Sequence, residues 1–210
     1  MQAIKFCKIN KKPTAVQKLI LKKELELDAE LDRKGLQVFP TLALALYELF
    51  GWKKTHILEL LSTINRVYED CMQDTNMSMI QMCYEETGIN VSNQSEKNWN
   101  ELYYLSQALW EKKLATMKEF KTQEQQDRFI LMVRTKQIAW IEPTLYASVF
   151  IAMHRREKFG YDRNLALYEK MKELISIYKP SEIIALVKAN VDIDIEVFEG
   201  KFRYGNKEEE

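Results

Sequence analysis

Ala45-Leu46-Tyr47-Glu48-Leu49-Phe50-Gly51-Trp52 is an apolar run closed by phenylalanine, glycine and a second aromatic ring. A similar series closes Ala152-Met153-His154-Arg155-Arg156-Glu157-Lys158-Phe159-Gly160-Tyr161. Each reads as a helix ending at a corner. Gly51 stands where a helix C-terminus favours a left-handed residue, a conformation glycine adopts without a Cβ clash. From Thr55, residues Ile57, Leu60, Leu61, Ile64, Val67, Tyr68, Cys71 and Met72 then follow the spacing of one face of a helix. After Gly160, residues Leu167, Tyr168, Met171, Leu174, Ile175 and Tyr178 do the same. Aligning Phe50-Gly51-Trp52 with Phe159-Gly160-Tyr161 gives two copies of one helical module. The second is shorter between its second and third helices.

Upstream, Thr14 and Gln17 form a capping-box pattern after Pro13. A helix to about residue 34 would align Val16, Ile20, Leu27 and Leu31. Gly35 is expected to end it, and Pro40 to open the next helix, through Thr41 to Phe50. Downstream of the first corner, Ser78 caps a short helix that Gly88 closes. The polar run from Ser92 to Asn98 is the candidate boundary. Trp99, Leu102, Tyr103, Leu109, Trp110, Leu114, Met117 and Phe120 mark a long amphipathic helix. Thr122 and Gln125 cap another, which Pro143 is expected to break and restart. Pro180-Ser181 opens a short helix to about Asn190. Val191, Ile193, Ile195 and Val197 then alternate with acids, a strand period. This end is read as a small hairpin or as an extended tail.

The expected fold is therefore all-α, with about eight helices in two related modules joined by long central helices. The expected division is residues 1–94 and 95–210, with one shared core as the alternative. Hydrophobic residues are 46% and charged residues 30%, with zero formal net charge. This is the balance of a globular chain, and it argues against a surface that is basic throughout. No apolar run approaches the roughly 20 residues of a membrane span. Cys7, Cys71 and Cys83 are odd in number and unpatterned, which points to free thiols in a reducing cytoplasm.

The series Ala45-Leu46-Tyr47-Glu48, Phe50-Gly51-Trp52 and Glu85-Glu86-Thr87-Gly88-Ile89 resembles a module of short uncharacterised proteins encoded by bacteriophages and prophages. The resemblance covers residues 42–91, and more loosely 147–195. Trp52-Lys53 departs from it, since an aromatic followed by glycine is usual there. The resemblance implies a phage setting. It implies no reaction and carries over no catalytic residue.

No reactive motif stands out. His56 and His154 lack companions at metal-ligand spacing, and Cys71 and Cys83 lie on apolar helix faces. There is no glycine-rich phosphate loop and no nucleophile motif. The expectation is a non-catalytic protein without metal or cofactor. The candidate binding residues are basic and aromatic: Lys11 and Lys12 near the start, Trp52, Lys53 and Lys54 at the first corner, and Arg155, Arg156, Lys158, Tyr161 and Arg163 around the second. They could contact phosphate and stack on bases. The other reading, favoured for Trp52 and Tyr161, makes the aromatics anchors that fold the loop onto its own helices and the charges ordinary cations of helix C-termini. The favoured partner is a host or phage protein, with nucleic acid as the alternative. A homodimer is compatible with an amphipathic helix that has two apolar sides.

Overall fold

Residues Val38 and Pro40 to Leu46 are buried without interruption, so this segment is enclosed on every side. It lies inside a 36-residue helix, α1 (Ala15–Phe50). The computed structural model describes residues 15–73, 78–92, 122–198 and 201–204. After α1 come α2 (Lys54–Gln73), α3 (Met79–Thr87), α4 (Gln123–Glu157), α5 (Tyr161–Ile177) and α6 (Pro180–Val191). The fold is all-α. The strands β1 (Ile195–Phe198) and β2 (Lys201–Tyr204) pair antiparallel beyond the helices. The expected helix over residues 99–120 lies outside the described residues, as do Lys11, Lys12, Thr14 and most of the polar run.

Two expected helix breaks are absent. Gly35 and Pro40 both lie within α1, and Pro143 lies within α4. An interior proline removes one backbone hydrogen bond and costs about 3 kcal/mol or more. Next to both prolines are long, fully buried stretches, residues 41–46 and 145–153. Burying one Leu, Ile or Phe side chain contributes roughly 1.5–3 kcal/mol, so several together outweigh the proline. The buried hydroxyls there are satisfied within their own helices. Thr41 donates to the Gln37 carbonyl at 2.6 Å and Ser148 to that of Leu145 at 2.8 Å.

α1 and α4 lie side by side and run in the same direction. Lys34 pairs with Glu142 where each helix enters the core. At the far end the Phe50 and Phe159 rings meet edge-on at 5.1 Å. The shorter helices are placed crosswise. α1 packs against α5 and α6, whereas α4 packs against α2 and α3. One continuous cluster of buried residues results, from Val38 to Ile193.

Buried positions recur at a constant spacing. Thr41 and Ser148, Leu42 and Val149, and Leu46 and Met153 are 107 residues apart. So are Ile57 and Asn164, Leu60 and Leu167, Leu61 and Tyr168, and Ile64 and Met171. After a connection three residues shorter, the spacing becomes 104: Met79 and Ile183, Cys83 and Val187, Ile89 and Ile193. This corrects the alignment made from the Phe-Gly pairs, which is two residues out at the corners. The residue that matches Gly51 (φ +66°) is Lys158, left-handed at φ +57°, while Gly160 has φ −81° and caps the start of α5. A helix-ending hydrogen bond shared by both corners marks this register. The backbone N–H six residues on reaches back to Leu46 from Trp52 (3.4 Å) and to Met153 from Phe159 (3.3 Å).

Candidate functional site

Parallel packing brings two helix C-termini together, and each carries about half a negative charge from its aligned peptide dipoles. The sequence places cations at this end. Lys53 and Lys54 follow α1, and His154, Arg155, Arg156 and Lys158 lie in or just beyond the last turn of α4. The candidate residues of the two corners are therefore neighbours in space. Lys11 and Lys12 lie outside the described residues.

The aromatic residues act as anchors between the corners. Trp52 is half-buried, tilted against Phe50 and edge-on to Phe159 at 6.1 Å. Its other face is stacked on His56 at 3.7 Å. Tyr161 is half-exposed, but its ring lies over the backbone of Gly88, where a Cβ would be 2.9 Å from it. Arg163 sits over the Phe159 ring at 5.4 Å, and Lys53 over the Tyr47 ring at 5.4 Å. Beneath the second corner, Asn164 donates to the Phe159 carbonyl at 3.3 Å. The Nδ1 of His154 lies 3.0 Å from the same oxygen and so carries the proton in this contact.

Three of the cations, Lys54, Arg155 and Arg156, have carboxylate partners from distant parts of the chain. Arg155 forks onto both oxygens of Glu86 in α3, at 2.5 and 2.9 Å. Arg156 pairs with Glu59 of α2 at 2.6 Å and with Glu157 at 2.9 Å, and donates to Thr63 at 2.8 Å. His56 approaches Glu157 at 3.1 Å. Lys54 reaches Asp192 at the end of α6, 3.3 Å away. Lys158 turns back to the Arg155 carbonyl at 2.9 Å. The hydrogen bonds that Arg155 donates to Glu86 raise its pKa further, and those that Lys54 and Lys188 donate hold the Asp192 carboxyl below its ordinary value. These partners were invisible in the sequence, since Arg155 and Glu86 are 69 positions apart and Lys54 and Asp192 are 138 apart.

Other reactive groups are enclosed. Cys71 and Cys83 are buried, and burial pushes the Cys83 thiol up to about 12, so it is protonated at neutral pH. Among the described residues no group of His, Cys, Asp or Glu is arranged to hold a metal ion, and no helix is long and apolar enough to cross a membrane. A shallow groove between α2 and α4 is lined by Glu59, Thr63, Arg66, Asp70, Arg155 and Arg156, with acids and bases interleaved. Large apolar side chains stand exposed elsewhere, with Leu25 on the first half of α1 and Leu131 and Met132 on the first half of α4. No family model, curated protein or solved structure matches this chain.

Proposed function

We propose that this is a non-catalytic binding protein, built from two related helical modules, that acts through contacts with another protein. The observation that carries this reading is a contrast between the paired charges of the corners and the exposed apolar side chains of the long helices. At the corners, the chain's own carboxylates already neutralise Arg155, Arg156 and Lys54. On the long helices, Leu25 (63% exposed), Leu131 (57%) and Met132 (44%) face solvent. Exposed apolar side chains gain from being covered, whereas paired guanidinium groups must first lose a partner before they can hold phosphate. The setting we propose, on the module resemblance, is a bacteriophage or prophage acting in the bacterial cytoplasm on a host factor.

The test compares the wild type with the triple variant Leu25→Glu, Leu131→Glu, Met132→Glu as bait in bacterial lysate. Circular dichroism establishes that the variant keeps its helices. A protein retained by the wild type and lost by the folded variant supports the reading; equal recovery by both removes these side chains from it. Nucleic acid is tested in parallel with a labelled duplex at low salt. Tight binding that falls steeply with salt, with a slope reduced in Arg155→Ala, Arg156→Ala, Lys158→Ala, would replace the protein partner with nucleic acid.

A further inference from the structure

We infer that this chain is the single-chain counterpart of an intertwined dimer, in which each long helix completes the core of the other half. The two halves in question are residues 15–92 and 122–198. Two modules merely joined in tandem would each pack α1 on α2 and α3, and α4 on α5 and α6. The contacts run the other way. α1 lies along α5 and α6 and meets α2 sparingly, and α4 lies along α2 and α3 and meets α5 sparingly.

Polar contacts follow the same rule. From α4, Arg155 and Arg156 reach back to Glu86 and Glu59 in the first half. From α1, Glu48 reaches forward to Lys170 in α5, at 2.9 Å. The helix ends repeat the exchange at equivalent places. Lys54, the first residue of α2, pairs with Asp192, the left-handed cap of α6. Tyr161, the first residue of α5, lies against Gly88, the left-handed cap of α3. Lys54 and Tyr161 are 107 apart, and Gly88 and Asp192 are 104 apart, the spacings already found in the core. An approximate two-fold relation that maps α1 onto α4 and α4 onto α1 accounts for all of these contacts together.

It follows that the partner surface of each half is the other half. The test uses the full chain with a specific protease site placed in the polar run from Ser92 to Asn98. After cleavage, both pieces are expected to elute together at the position of the uncut chain, with the helical signal retained. The urea midpoint of the cut chain falls on tenfold dilution, and that of the uncut chain does not. Pieces that separate while each keeps its helical signal, or a cut chain whose midpoint ignores dilution, would overturn the inference. If cleavage causes precipitation, hydrogen exchange in sub-denaturing urea decides on the intact chain. Residues 41–46 of α1 should open together with α5 and α6, and residues 145–153 of α4 with α2 and α3. Opening of α1 to α3 as one unit, apart from α4 to α6, would refute it.

Discussion

Of the four left-handed caps among the described residues, Gly51, Gly88, Lys158 and Asp192, the first three differ in consequence. Gly51 has open space where a Cβ would go, whereas at Gly88 a Cβ would press on the Tyr161 ring. Gly51→Ala is expected to cost about 1–2 kcal/mol from backbone strain alone. Gly88→Ala is expected to cost more, because the ring must also move. Lys158, equivalent to Gly51 but not glycine, bears the strain in the native chain, so Lys158→Gly should raise stability by about 0.5–1 kcal/mol. Urea midpoints for the three variants check the order, and a stabilising Gly88→Ala would contradict the packing described. The thiols give a second prediction. Cys71 and Cys83 should resist a thiol reagent at neutral pH and react once the chain is unfolded, as peptide mass spectrometry will read; fast native labelling of Cys83 would place it at the surface. Gly51 was legible as a left-handed cap from its residue type. Lys158 was not, because lysine carries no such signal, and the adjacent Gly160 drew the alignment two residues away from the structural register.

Helix faces were legible and helix ends less so. The spacing of Ile57, Leu60, Leu61 and Ile64 gave the buried face of α2, and Ser78 caps α3 as its position suggested, accepting from the Gln81 N–H at 3.2 Å. Gly35, Pro40 and Pro143 misled because local breaking tendencies say nothing about the tertiary burial that outweighs them. Between elements, the pairing of Asp192 with Lys54 makes a pH prediction. Its carboxyl is held below the ordinary carboxylate range in the folded chain, first by Lys54 and then by Lys188. The stabilisation is therefore complete above that range and is lost as pH falls through the lowered value. Asp192→Asn should be less stable than wild type at neutral pH, and the difference in urea midpoint should vanish in acid. The effect is small because the carboxylate is largely exposed. A difference that stays constant into acid would mean that the ion pair is not its source.

At the scale of the whole molecule, one cluster of buried residues serves both halves. Far-UV circular dichroism and tryptophan fluorescence should therefore report coincident urea transitions, and two separated transitions would contradict a shared core. The sequence shows two Phe-Gly corners followed by amphipathic helices, but not the crosswise packing. Periodicity shows which face of a helix is buried and leaves its neighbour unspecified, and the contacts that specify it here join residues 69 to 138 positions apart. The placement of α1 against α5 and α6 also bears on how the chain is made. The apolar stretch from Leu42 to Leu46 leaves the ribosome well before α5 and α6 have been translated. For most of its synthesis the nascent polypeptide thus carries uncovered apolar surface, the condition under which chaperones bind. Production in a cell should therefore depend more on holdase supply than the stability of the finished molecule would suggest.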